Sequence, residues 1–250
     1  MTRKRRVAST QTEGVELMDT SAQPYEIERR GSMSTWLSVR EPKYDASSSE
    51  AEYQPGSNDA VLRNLLGIAA AAKMDKVERC ELKRAITALG HQYDREHRFT
   101  ASDISAMHAL WLGGIYEWAG RYRQVNVSKG DFLFAAAGRI PELMERFQNE
   151  QLAKYTPCRF NERAEIAKVL AETHVELVLI HPFRDGNGRI ARMLAIVMAL
   201  QAGLPPLDFD DLVLDRKEEY FRAIQAGLDR NYAPMERLFE LVIAKTLASF

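Results

Sequence analysis

The sequence predicts an all-α protein interrupted by one small β-hairpin. Three observations carry that class. Apolar residues recur at helical spacing through most of the chain beyond residue 57. One segment alone, Tyr122 to Phe134, alternates, turns and becomes apolar again. The composition, 46% hydrophobic and 28% charged over 250 residues, is that of a folded globular chain with a sizeable core in one or two domains.

Charge and cysteine content narrow the function classes. Lys plus Arg number 34 and Asp plus Glu 35, a net charge of −1. That balance argues against a general nucleic-acid binder held by phosphate neutralisation, while leaving room for a local basic pocket. Cys80 and Cys158 are too few for a disulfide framework and belong to no CxxC pair, so a reducing, cytoplasmic setting is expected. No apolar run approaches the ~18 residues of a membrane span. The opening MTRKRRVASTQTEG lacks the apolar stretch of a secretion signal. No membrane partner is expected.

The elements follow in order. Residues 1–45 are polar and form a separate N-terminal unit, and the Ser-, Pro- and Gly-containing stretch 46–56 reads as a linker to a main domain over 57–250. Residues 58–66 read as a short helix. Val77, Leu82, Ile86 and Leu89 predict a helix over 74–90, stopped at Gly90. Thr100 to Asp103 offers capping side chains for a helix through about Leu112. The hairpin follows, turning at Ser128-Lys129-Gly130. Pro141 opens the next helix. Asn161 to Ile180 is a long one, 188–202 and 215–226 are helical, and Pro234 opens the last. Trp111 and Trp118 are assigned to the core. His174, seven residues before His181 on the same helix face, is assigned a structural role. His91, His97 and His108 lack metal-ligand spacing.

The informative segment is HPFRDGNGRIAR, residues 181–192, set between two apolar helices. Pro182 ends the first helix by forcing His181 out of the helical region. Gly186 and Gly188 permit backbone conformations closed to other residues. The first amides of the second helix have no partner inside it and form an anion site. Arg189 and Arg192, three apart, can share a face. Two guanidiniums plus free amides suit a polyphosphate better than one carboxylate. Asp185 is a hard oxygen ligand of the kind Mg²⁺ uses beside substrate phosphates, Asn187 can donate to a phosphoryl oxygen, and His181 can take a proton near neutral pH.

These residues resemble the signature of the Fic family, His-Pro-Phe-x-(Asp/Glu)-Gly-Asn-Gly-Arg-x-x-Arg, with every fixed position filled. The resemblance extends over about 53–250, through Tyr53 to Gly56, Val61 to Ile68, Ile115 to Gly120 and Val127 to Gly130. It implies a Fic-type helical bundle with a hairpin flap, and transfer of AMP from ATP to a Tyr, Thr or Ser hydroxyl of a target protein. It assigns His181 as base and Asp185 to Mg²⁺. Phe183, Arg184, Gly186, Asn187, Gly188, Arg189 and Arg192 fall to nucleotide binding, Arg189 at the β-phosphate and Arg192 at the γ-phosphate. The flap, Ser128, Lys129, Gly130, Asp131, Phe132, Leu133 and Phe134, would clamp the target by strand addition; its three apolar residues suit a core equally well. Gly186 and Gly188 depart from the subclass that transfers the γ-phosphate. UMP or phosphocholine transfer stays open, because the loop reads phosphates and not the base.

The N-terminal Ser9-x-x-x-Glu13-Gly14 resembles the inhibitory motif of Fic proteins, and residues 1–45 resemble the small helical antitoxin that partners certain Fic toxins. The resemblance implies autoinhibition, with Glu13 pairing Arg192 at the γ-phosphate position. Family analogy points to a type II topoisomerase as target. Two other readings are a catalytically silent Fic-fold interaction module and a nucleic-acid regulator suggested by Arg3 to Arg6. Intact His181, Asp185 and Arg192 oppose the first, and the near-neutral charge opposes the second.

Overall fold

The structure is a computed structural model that describes residues 50–210, 212 and 215–249. The predicted N-terminal unit, with Ser9, Glu13 and Gly14, lies outside the described residues.

The body is helical around one central rod. Helix α5 (Arg163–Ile180) is buried on nearly every side, as its apolar run requires. It packs against α6 (Asn187–Gln201), also buried nearly all round, and against α8 (Ala233–Ala248). Helix α3 (Ile140–Phe147), the short α4 (Ala153–Tyr155) and α7 (Lys217–Ala226) add further sides. Helices α1 (Ala71–Gln92) and α2 (Ala101–Leu112) pair with each other and lean on α6. The hydrophobic core runs continuously through these helices.

Sequence signals account for most boundaries. Thr100 and Asp103 form a reciprocal capping box at the start of α2. Pro141 lies in the first turn of α3 and Pro234 in that of α8, where a missing N–H costs nothing. Trp111 and Trp118 are buried in the core.

Four expectations are corrected. Residues 58–66 form no helix: Asn58 and Asp59 take left-handed backbone angles, and Asn64 caps the loop by accepting from Leu66 and Ile68 N–H and donating to Ile68 O. Helix α1 does not stop at Gly90 but continues to Gln92 and ends at extended Tyr93, whose N–H caps Leu89 O. The hairpin is shorter than its alternation suggested. It pairs only β1 (Ser128–Lys129) with β2 (Phe132–Leu133), Ser128 facing Leu133 and Lys129 facing Phe132, so the turn is Gly130-Asp131. Residues 50–56, expected as linker, are fastened to the body where described. Glu50 is buried and accepts from Gln124 N–H at 2.7 Å, and Tyr53 bridges Leu62.

Candidate active site

Helix α5 ends and α6 begins in one tight bend, residues 181–187. His181 takes a left-handed conformation (φ 53°, ψ 58°) rather than the extended one expected before a proline, and its N–H still caps Leu177 O. That geometry turns the imidazole back over the end of α5. Nδ1 lies 3.0 Å from Val178 O. A carbonyl only accepts, so Nδ1 carries the proton and Nε2 keeps its lone pair. The ring stacks on Phe134 with centroids 3.5 Å apart. Burial pushes its pKa down to about 4, so the ring is neutral at physiological pH. The result is a fixed tautomer with a basic nitrogen, covered on one face by the residue that follows β2.

The turn itself depends on Gly186. Its φ of +84° favours glycine, and a Cβ there would lie 2.7 Å from Trp111 Cζ3. Gly188 has no such angle; a Cβ would lie 3.6 Å from Arg192 Nη1, so its smallness leaves room beside that guanidinium. The first helical bond of α6 runs from Ile190 N–H to Gly186 O, which leaves the amides of Asn187, Gly188 and Arg189 without a carbonyl inside the helix.

Asn187 is buried, and its amide is spent on the loop: Oδ1 accepts from Phe183 N–H and Nδ2 donates to Phe183 O, both at 2.8 Å. Its side chain therefore staples the bend rather than projecting toward a ligand. Phe183 is also buried, stacked on His108 at 3.9 Å. Arg184 turns away, its Nε donating to Glu50 O at 2.8 Å. Asp185 is the acidic group that faces out, its side chain 49% exposed. Its Oδ1 accepts from Gly186 N–H and, at 3.4 Å, from Arg189 Nη2, leaving Oδ2 without a hydrogen-bond partner among the described residues.

The two arginines take different partners. Arg189 reaches toward α1 and α2, with Nη1 2.5 Å from Glu78 Oε2 and the guanidinium 4.5 Å from the Trp111 ring. Arg192 turns to α7, where the Tyr220 hydroxyl accepts from it. That hydroxyl also meets His174 Nε2 at 2.8 Å. Burial pushes His174 down to about 3, so it is a neutral structural histidine, as its spacing suggested. The two guanidiniums at the α6 N-terminus are thus held by different helices, Arg189 by α1 and Arg192 by α7.

Four further residues belong to the site and were missed. Arg123 is fully buried and ties His181 to the flap: Nε donates to His181 O (2.7 Å), Nη1 to Val125 O (2.7 Å) and Nη2 to Ala135 O. Burial lowers its pKa to about 10, which leaves it charged. His108 accepts from Gly120 N–H at Nδ1 (2.8 Å), so Nε2 holds the proton and donates to Asp185 O (3.1 Å). Glu78 and Tyr220 hold the two arginines. None has a sequence signal, because each reaches the motif across tens of residues.

Among the described residues no group of three or more His, Cys, Asp or Glu side chains could enclose a metal ion. One outward carboxylate beside a helix N-terminus fits Mg²⁺, which takes one or two carboxylates and completes its shell with water and substrate phosphates. Asp185 is the residue that would hold it.

Residues 98–199, which include the whole bend, match the Fic/DOC family. The chain carries a Fic domain. It is 29% identical over 209 residues to the protein adenylyltransferase VbhT of Bartonella schoenbuchensis, covering 78% of this chain and 40% of that one. It is 29% identical over 159 residues to the protein adenylyltransferase Fic of Nematostella vectensis, covering 62% and 35%. The chain thus spans 40% or less of the length of these two curated relatives. The Fic domain of the effector Bep8 from Bartonella sp. 1-1C superposes with a TM-score of 0.63 at 25% identity, over 75% of this chain and 93% of that one. The effector BepC from Bartonella tribocorum, solved with bound AMPPNP, gives 0.59 at 23% identity, over 72% and 91%. The helical body with its two-stranded flap is the Fic fold.

Proposed function

We propose that this chain is a protein adenylyltransferase that moves AMP from ATP to a hydroxyl of a target protein. The observation that carries the reading is the neutral His181, with Nε2 open, beside the uncapped amides of α6. Relatives of similar sequence are named protein adenylyltransferases, and a structural neighbour holds an ATP analogue, which supports the same reading. The target hydroxyl oxygen attacks the α-phosphorus, the bond to the bridging α–β oxygen breaks, pyrophosphate leaves, and the hydroxyl proton passes to His181 Nε2. The α6 amides and the two guanidiniums neutralise charge on the phosphates, Arg189 toward the β- and Arg192 toward the γ-phosphate. Mg²⁺, when bound through Asp185, supplies further charge neutralisation there. The exposed flap edge would hold the target segment by strand addition.

The N-terminal unit, 1–45, is read as an intramolecular inhibitor whose Glu13 pairs with Arg192. The test is incubation of the wild type, Glu13→Gly and Glu13→Gly/His181→Ala with α-labelled ATP, Mg²⁺ and cell lysate. The single variant is expected to label protein strongly, the wild type weakly and the double variant not at all. Equal labelling by the first two would remove the inhibitory role, and label retained without His181 would remove the base. Parallel reactions with labelled UTP and CDP-choline test the donor.

A further inference from the structure

We infer that Glu78, on α1 and outside the signature, is the positioning residue that aims Arg189 at the leaving phosphates; the inference rests on the adenylyl-transfer reading. Glu78 is buried and itself held from three directions. Its Oε2 takes Arg189 Nη1 at 2.5 Å, its Oε1 takes the Tyr116 hydroxyl at 2.7 Å, and its backbone oxygen takes the Trp111 indole N–H at 2.9 Å. Trp111 in turn lies under the guanidinium at 4.5 Å. One end of the fork is thus fixed by a carboxylate and one face by an indole. The remaining Nη2 edge turns toward Asp185, at 3.4 Å, the carboxylate that just precedes the α6 N-terminus.

Stability does not explain this arrangement. A buried ion pair gains little over an apolar pair of the same shape, because desolvation offsets the attraction. What it does supply is direction. A long cationic side chain loses rotamer freedom when it grips a ligand, and holding it beforehand removes that loss from the reaction. Charge on a departing pyrophosphate grows toward the transition state, so a pre-aimed guanidinium acts on kcat more than on ATP binding.

The test is a double-mutant cycle of Glu78→Gln and Arg189→Ala, built on Glu13→Gly. Protein labelling gives kcat and KM for ATP, and calorimetry with AMPPNP gives affinity. Glu78→Gln is expected to lower kcat by roughly ten- to a hundredfold, with KM and AMPPNP affinity within about threefold. In the Arg189→Ala background the same substitution is expected to change nothing further. Equal losses in both backgrounds would make Glu78 a structural residue and overturn the inference, as would full activity of Glu78→Gln. If Glu78→Gln does not fold, Tyr116→Phe removes only the hydroxyl that steadies Oε1. A few-fold fall in kcat that disappears without Arg189 supports the inference, and no fall overturns it. A Glu13→Gly protein that transfers no nucleotide with Glu78 intact overturns the adenylyl-transfer reading and this inference with it; transfer unaffected by Glu78 overturns this inference alone.

Discussion

Two buried histidines make the folded protein sensitive to mild acid. His108 and His174 are 0% and 1% exposed, and burial lowers their pKa values to about 4 and about 3. In the unfolded chain both return to about 6.5. Between those limits the unfolded state binds more protons than the folded one, so stability rises with pH across the window and falls as acid is added. At pH 5 each histidine is almost fully protonated when unfolded and neutral when folded, which costs about 2 kcal/mol apiece. The pair together removes about 4 kcal/mol between pH 7 and 5, and His181, lowered to about 4 by the same cause, adds about 2 more, a large share of the 5–15 kcal/mol typical of a domain. Urea unfolding followed by tryptophan fluorescence at pH 7, 6 and 5 measures it. His174→Gln keeps a polar group near Tyr220 but cannot titrate, and is expected to flatten the pH dependence by about a third. A wild-type unfolding free energy constant to within about 1 kcal/mol over this range would refute the assignment of both rings as neutral.

Other outcomes follow from the same geometry. Gly186→Ala combines an unfavourable φ with a Cβ 2.7 Å from Trp111, and is expected to cost about 2 kcal/mol or more in thermal stability and to abolish nucleotide binding by calorimetry. Arg123→Met leaves the carbonyls of His181, Val125 and Ala135 without their donor, and is expected to cost about 3 kcal/mol and to raise hydrogen exchange in the flap. The pH–rate profile of the Glu13→Gly protein is expected to show no inflection near 6.5, because His181 titrates near 4; a fall in rate centred at 6.5 on folded protein would show that the ring is not buried as described.

The sequence and the structure agree most closely where local chemistry decides. The Thr100–Asp103 capping box, the prolines of α3 and α8 and the apolar runs of α5 and α6 are readable because each acts within a few residues. The signature at 181–192 is readable for the same reason. What was hidden depends on distance in sequence. Glu78 lies 111 positions from Arg189, and its charge pattern on α1 is that of any exposed helix face. Arg123 sits in an alternating stretch that resembles a strand, yet its backbone N–H bonds Pro182 O instead of a sheet partner. Residues 58–66 carry helical spacing but follow Pro55-Gly56, and side-chain bonds from Asn64 to the loop outweigh propensity. Asn187 shows the same limit within the motif: its type permits phosphate contact, and only its neighbours reveal that Phe183 takes both its polar ends.

The claim on which the account rests is that the α5–α6 bend cradles a triphosphate beside a basic imidazole nitrogen. A crystal structure of the Glu13→Gly protein with AMPPNP and Mg²⁺ tests it directly. The account predicts phosphate oxygens on the amides of Asn187 to Arg189, the ion on Asp185, and the α-phosphorus on the open side of His181 Nε2. Nucleotide bound elsewhere, or phosphates that bypass the α6 amides, would contradict it.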